Sequence, residues 1–151
     1  MKDFKSVEDI LDFAVLNEQE AVDFYAGLAR QARNEEMIKV FSQFAQEEMG
    51  HKSKLLHLKS TGQYTLGRDK VMDLKLSDYL VDVAPHPAMT YQEALILAMR
   101  KEKNAFRLYM DLSKIAPTRE LQDLFVSLAQ EESRHKLRFE LEYDEFVLKE
   151  F

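Results

Sequence analysis

Apolar residues recur at spacings of three and four along four long stretches of the chain, which predicts four amphipathic helices. The stripes cover residues 11–29, 37–58, 95–112 and 121–139. Each stripe is wide enough to bury one helix face against partner helices, as in a helical bundle. With the flanking residues added, the helices are expected at about residues 6–32, 35–61, 90–115 and 118–148.

Residues typical of helix ends flank these stripes. Ser6 and Asn34 are favourable N-caps. Thr90 and Glu93 have the spacing of a capping box, and Gly62 is typical of the residue that follows a helix. Helices one and two are thus joined by a few residues, as are helices three and four, whereas residues 62–89 form one long connection.

The long connection contains two local signals. Residues 78–81 predict a short helix, and Pro85 and Pro87 predict an extended segment around His86. His86 is interpreted as a loop histidine and not as a ligand of a further metal site. A short, a long and a short connection in this order are typical of a ferritin-like antiparallel four-helix bundle. The predicted fold class is therefore all-α, in a single domain over residues 1–151.

The second half of the chain repeats the first half without a gap. Glu-x-x-His occurs at Glu48 and His51 and again, at the same place in the second hairpin, at Glu132 and His135. Such self-similarity indicates one structural unit used twice. The bundle is therefore predicted to consist of two copies of one helical hairpin.

Six residues that can bind metals fall on the apolar stripes, where burial is expected. Burial of an unpaired charge costs several kcal/mol, so carboxylates at such positions need a partner. Two divalent cations would balance four carboxylates, and carboxylate with imidazole suits iron or manganese, although zinc would also bind. The six candidate ligands are Glu18, Glu48, His51, Glu102, Glu132 and His135.

Composition narrows the possible functions. The 151 residues include no Cys, which excludes disulfides, thiolate metal sites and a thiol nucleophile in this sequence. A net charge of −6 argues mildly against nucleic-acid binding. No apolar run is long enough to cross a membrane and no signal peptide is evident, so a cytoplasmic location is expected.

The sequence resembles the rubrerythrin-like branch of the ferritin-like di-iron superfamily over almost its whole length. The resemblance rests on four segments, which are Glu18-x-x-Ala21-x-x-x-Tyr25, Glu48-x-x-His51, Glu102-x-x-Ala105-x-x-x-Tyr109 and Glu132-x-x-His135. It implies that Glu48 and Glu132 bridge two iron ions. It also implies that Glu18 with His51 completes the shell of one ion, and Glu102 with His135 that of the other.

Two differences from rubrerythrins affect the expected function. The chain has no Cys for a rubredoxin iron, and Ala105 stands where rubrerythrins carry an additional Glu. The symmetric ligand set is similar to that of bacterioferritin, but the fifth helix of that cage-forming family is not evident. A homodimer is therefore expected.

The resemblance implies a redox enzyme of the peroxidase or ferroxidase type, which reduces hydrogen peroxide or dioxygen with electrons from an external donor such as a separate rubredoxin. An iron-binding or iron-buffering protein without turnover is one alternative, and a di-manganese catalase-like protein is another. A helical interaction protein that keeps the metal for stability is a third alternative.

Other polar residues have candidate roles near the site. Tyr25 and Tyr109 lie two turns after the ligands of helices one and three, where they would hydrogen-bond a ligand, transfer electrons or fill the core. Glu47 is predicted to flank the ligand face. His57 is interpreted as a surface or boundary residue. The repeated pair Gln46 and Gln130 lies off the ligand face and is a packing or outer-sphere candidate.

Overall fold

Four long helices, paired into two hairpins, make up most of the chain. The computed structural model describes residues 4–62, 74–81, 85 and 88–150. Residues 149 and 150 are described by their backbone alone. The helices are α1 (Val7–Gln31), α2 (Glu35–Thr61), α3 (Tyr91–Ile115) and α4 (Arg119–Glu150). No strand occurs among the described residues, and none of their helices is apolar over a length that would cross a membrane. The all-α four-helix architecture is as predicted.

The helix ends form where their capping residues predict them. The Ser6 hydroxyl accepts a hydrogen bond from the Asp9 backbone N–H, and the Asn34 side chain accepts one from the Met37 N–H at 2.9 Å. Thr90 begins α3 with a complete capping box. Gly62 follows α2 with φ +65°, a conformation that L side chains rarely adopt.

The crossover differs from the predicted short helix at residues 78–81, and that prediction is wrong. A single 3₁₀ turn forms earlier, at Leu76–Asp78. The carbonyls of Tyr79 and Leu80 instead accept hydrogen bonds from the side-chain amide of Asn104 on α3, at 3.3 and 3.0 Å. These carbonyls serve a tertiary contact, which is why the turn does not continue as a helix. His86 and Pro87, in the predicted extended segment, lie outside the described residues.

The interior consists of two apolar clusters separated by a polar layer. Along α2 the buried residues change from Phe44 in one cluster, through Glu48 and His51, to Leu55 in the other. Along α4 the same succession runs in the opposite chain direction, from Leu128 to Phe139. The polar layer therefore lies mid-way along the bundle and is sealed by hydrocarbon on both sides.

The backbones approach each other most closely within each hairpin, whereas the two hairpins meet through side chains of the two shared apolar clusters. Close backbone approaches occur mainly between α1 and α2 and between α3 and α4, with few between the hairpins. Side chains make most of the connection between the two halves. At one end, the Arg33 guanidinium binds both carboxylate oxygens of fully buried Glu142, at 2.9 and 3.1 Å.

Candidate metal centre

The polar layer contains all six residues that the sequence predicts as metal ligands. Glu18 comes from α1, Glu102 from α3, and one Glu-x-x-His pair from each of α2 and α4, so every helix contributes. Each of the six residues is at most 2% exposed. The i, i+3 spacing places each Glu and its His on one helix face, which is why two helices can supply four of the six groups.

The six residues divide into two overlapping groups of four. Glu18 and His51 lie with Glu48 and Glu132 in one group, and Glu102 and His135 lie with the same two carboxylates in the other. Within a group, one potential ligand atom from each residue lies within 4.8 Å of the others. Glu48 and Glu132 belong to both groups, which is the arrangement of two bridging carboxylates between two ions.

One nitrogen of each imidazole points into the carboxylates. His51 Nδ1 lies 3.0 Å from Glu132 Oε1 and 3.6 Å from Glu18 Oε1. His135 Nδ1 lies 2.9 Å from Glu48 Oε1 and 3.7 Å from Glu102 Oε2. The Nδ1 atoms are thus the ring nitrogens that could bind a metal ion at the centre.

The chemistry of this layer fits a pair of metal ions. Among the described residues, six buried side-chain atoms lack a hydrogen-bond partner, one from each candidate ligand, namely Glu18 Oε2, Glu48 Oε1, His51 Nδ1, Glu102 Oε2, Glu132 Oε1 and His135 Nδ1. Buried polar atoms without partners are rare, because each costs about 1–3 kcal/mol. Cations bound between the carboxylates and imidazoles would satisfy all six atoms.

Comparison with protein families agrees with this geometry. A family model described as Rubrerythrin matches residues 9–143, a range that includes all six candidate ligands. The chain belongs to the rubrerythrin family. Neither the curated proteins nor the solved structures that were compared gave a significant match. With this family and the helix order, the fold is a ferritin-like four-helix bundle, and the cluster fits a di-iron protein.

Two tyrosines support the outer carboxylates of this rubrerythrin-family centre, and each does so across the bundle. Tyr25 on α1 donates a hydrogen bond to Glu102 Oε1 on α3, and Tyr109 on α3 donates one to Glu18 Oε1 on α1. Both rings are at most 1% exposed. Of the roles considered for these tyrosines, the structure therefore shows the hydrogen bond to a candidate ligand.

The outward nitrogen of each histidine also has a carboxylate partner on the opposite hairpin. His51 Nε2 contacts Glu131, and His135 Nε2 lies 2.8 Å from Glu47 Oε2. Such carboxylate contacts fix the tautomer and orientation of a metal-binding histidine. Glu47 does lie beside the ligand face as expected, but its contact with His135 was not predicted. The sequence contains one sign of a shared role, because Glu47 and Glu131 occupy the same place in the two copies of the repeat.

The remaining candidates lie away from the centre. His57, Gln46 and Gln130 are exposed, and none belongs to either group of potential ligands. The surface interpretation of His57 is therefore confirmed. His86 lies outside the described residues, so its interpretation as a loop histidine stays a prediction.

Burial and mutual repulsion perturb the titration of the rubrerythrin-family carboxylates. Burial, with the charge of Glu132, raises the pKa of Glu18, and the same causes raise the pKa values of Glu48 and Glu102 well above the usual range. Burial also opposes ionisation of Glu132, but its close contacts with His51 and Glu48 hold its pKa below the usual value. Without cations, burial and repulsion therefore favour proton uptake by Glu18, Glu48 and Glu102.

The two imidazoles respond differently. Burial opposes protonation of His51, yet close contact with the carboxylates of Glu132 and Glu18 raises its pKa to about 11. Burial lowers the pKa of His135, despite the nearby charges of Glu132 and Glu47. The surroundings of His51 therefore favour a positive charge at the ring more than the surroundings of His135 do.

Cation binding should release protons, and its affinity should fall as the pH is lowered. Glu18, Glu48, Glu102 and His51 all have raised pKa values, so a cation must displace protons from them. We expect the affinity for Zn²⁺ to fall by about tenfold per pH unit for each proton displaced. Calorimetric titration in two buffers with different ionisation enthalpies measures that number. Heats that do not depend on the buffer would contradict the expectation.

Removal of either tyrosine hydroxyl should lower the affinity of the metal position to which its carboxylate partner belongs. Tyr25→Phe takes a hydrogen bond from Glu102 without changing the ring, and we expect the affinity of that position to fall about tenfold. Zn²⁺ titration followed by calorimetry measures the change. Tyr143→Phe, which changes a tyrosine whose hydroxyl accepts from Gln92, is the matched control. Equal affinities in the two variants would show that the Tyr25 hydrogen bond does not support the ligand.

Proposed function

We propose that the chain holds two iron ions and acts as a redox enzyme that reduces hydrogen peroxide or dioxygen with electrons from an external donor. Membership of the rubrerythrin family and the buried carboxylate and histidine cluster support a di-iron centre. The observation that favours turnover over a sealed structural metal site is a cavity that reaches the candidate ligands.

The cavity lies between α1, α3 and the crossover and has a volume of about 110 Å³. Carboxylates from all four helices line it, namely Glu18, Glu48, Glu102 and Glu132. One water needs about 10–15 Å³ of such volume, so the space takes a few molecules of that size and excludes large substrates. Hydrogen peroxide and dioxygen are small enough to fit in this cavity.

Small side chains leave this space open. Ala21 and Ala105, which correspond in the two hairpins, both line the cavity. Ala105 stands at the position of the additional Glu of rubrerythrins. A longer side chain at either alanine would project towards the ligands, so the alanines favour access of a small molecule to the centre.

The protein would contribute to the reaction by position and charge. Glu48 and Glu132 would bridge the ions, Glu18 and His51 would complete one position, and Glu102 and His135 the other. Two bound iron ions would supply the electron pair that the oxidant accepts. The tyrosine and glutamate contacts described above hold the ligands in place, and the apolar clusters on both sides keep bulk water from the layer.

The test is the metal content of the isolated protein, followed by anaerobic titration with Fe²⁺ and addition of peroxide or air. We expect about two iron ions per chain and a new near-ultraviolet absorption when oxidant is added, with the faster oxidant identifying the preferred substrate. Zn²⁺-loaded protein, which cannot change its oxidation state, is the control. Protein that binds two Fe²⁺ ions but does not react with either oxidant would contradict the proposed enzyme.

The same experiment separates the alternatives. Release and rebinding of Fe²⁺ without oxidation would identify an iron-buffering protein. Oxygen release from peroxide by Mn²⁺-loaded protein, with no added reductant, would identify a catalase-like protein. Metal-dependent stability with no reaction of any kind would identify a structural metal site.

The proposal extends to partners and location. The electron donor would be a separate protein such as a rubredoxin, since this chain has no cysteine to ligate a rubredoxin iron. The chain would work as a homodimer in the cytoplasm. Light scattering of the iron-loaded protein at several concentrations would test the dimer.

A further inference from the structure

The two halves of the candidate centre differ in the charge that lies behind each histidine. Glu47, the partner of His135, also accepts a hydrogen bond at 2.5 Å from the guanidinium of Arg134. Glu131, the partner of His51, has no Lys or Arg within ion-pair distance in the described part of the chain. The difference has a simple source in the repeat, because Gly50 stands in the first hairpin where Arg134 stands in the second.

Aromatic packing adds a second difference at the same histidine. The His135 ring stacks on Phe44, with ring centroids 3.9 Å apart and planes inclined by 24°. Arg134 also lies over the Phe44 ring, 5.8 Å from its centroid. The residue that corresponds to Phe44 in the second hairpin is Leu128, which offers no ring to His51. The contact between Arg134 and Glu47 therefore belongs to a group of contacts around Phe44 on the His135 side of the centre.

The charge of Arg134 should weaken cation binding at the position beside it. A carboxylate behind an imidazole makes its other nitrogen a better donor to a cation, and it adds negative charge near the ion. The Arg134 guanidinium compensates that charge at Glu47, whereas no Lys or Arg of the described residues lies close enough to do so at Glu131. Because Arg134 is 51% exposed, solvent screens part of its effect, and we place the affinity difference near the lower end of outer-sphere effects, at about tenfold.

We propose that the two metal positions are inequivalent and that the position formed with Glu18 and His51 binds a divalent cation first. This inference rests on the proposed two-metal centre, but it does not depend on the redox activity. Arg134 and Gly50 are its determinants, and they act as positioning and charge-setting residues because neither is a candidate ligand.

The test is a Zn²⁺ titration of the full chain with ¹⁵N-labelled histidine, followed by the ring-nitrogen NMR signals of His51 and His135. In the wild type we expect the His51 signal to change during addition of the first equivalent and the His135 signal to change mainly during the second. The Arg134→Gln variant should reduce this difference, because it removes the charge and retains a long helix-compatible side chain.

A double exchange provides the reciprocal experiment. Arg134→Gly with Gly50→Arg transfers the guanidinium to the other hairpin, and a Cβ added at exposed Gly50 meets no heavy atom within 4 Å. We expect this variant to load the His135 position first. Its composition is unchanged, because α2 exchanges a glycine for an arginine and α4 exchanges an arginine for a glycine, and a general loss of stability would not invert the order.

The outcomes separate the inference from the proposed function. Two zinc ions taken up together, with equal changes of both histidine signals in the wild type and in the exchange variant, would overturn the inference and leave the centre intact. Loading of His135 first in the wild type would also overturn it. No zinc uptake at all would overturn the two-metal centre and this inference with it, whereas failure to reduce peroxide or dioxygen has no bearing on the order of loading.

Discussion

The Glu132→Gln variant should lose metal binding at both positions, whereas Glu102→Gln should weaken mainly one. Glu132 belongs to both groups of potential ligands, and Glu102 belongs only to the group with His135. An amide oxygen has nearly the shape of a carboxylate oxygen but no charge, so the loss reports coordination and charge instead of packing. We expect the affinity of both positions to fall by more than about a hundredfold in Glu132→Gln, beyond the usual effect of an outer-sphere partner.

Calorimetric titration with Zn²⁺ and metal analysis after dialysis measure this difference. The matched control is Glu120→Gln, which makes the same chemical change at an exposed position of the same helix. We expect the control to bind two ions with wild-type affinity. If Glu132→Gln still retained two tightly bound ions, Glu132 would not bridge them, and the assignment of the shared carboxylates would be wrong.

Removal of the metal should lower the melting temperature by about 10–20 °C. A ligand at a hundredfold excess over its Kd stabilises the folded state by about 2.7 kcal/mol per site, hence about 5 kcal/mol for two sites. In a chain of this size, each kcal/mol corresponds to about 2–4 °C. The structural reason is that each of the four buried carboxylates and two imidazoles has one polar atom with no hydrogen-bond partner in the described part of the chain, and a cation would bind these atoms.

Thermal unfolding with and without Zn²⁺ tests this expectation, and a variant makes it specific. Glu48→Gln removes one buried carboxylate, whose pKa burial and the charges of Glu132 and Glu18 raise. We expect this variant to melt above the wild type when both are metal-free and below it when both are loaded. Equal melting temperatures of loaded and metal-free wild type would mean that the polar layer is not a metal site.

Helix periodicity was sufficient to predict the ligand layer but not its surroundings. Glu18 lies among apolar residues at spacings of three and four, and a residue in that register must face the core whatever the partner helix is. Glu47 lies about 100° from that face by the same helical geometry, so its distance from His135 depends on how α2 and α4 are rotated against each other. The repeat indicated that Glu47 and Glu131 are equivalent, but it could not indicate what they contact.

The crossover shows the same limit in another form. Local sequence suggested a helix at residues 78–81, whereas the carbonyls of Tyr79 and Leu80 bind Asn104, which lies more than twenty residues away in sequence. A signal that arises from tertiary contacts is not present in a window of local residues. The helix bounds, by contrast, depend on capping residues that act within one turn, and they lie within two residues of the predicted bounds.

The candidate centre lies at the interface between the two hairpins, so a bound cation would hold one hairpin to the other. Both tyrosine hydrogen bonds, both histidine–glutamate contacts and the Arg134–Glu47 pair cross from one hairpin to the other. Amide hydrogen exchange should therefore slow in both hairpins when a cation binds, most strongly beside the polar layer. A protein arranged in this way couples the cohesion of its two halves to the supply of metal.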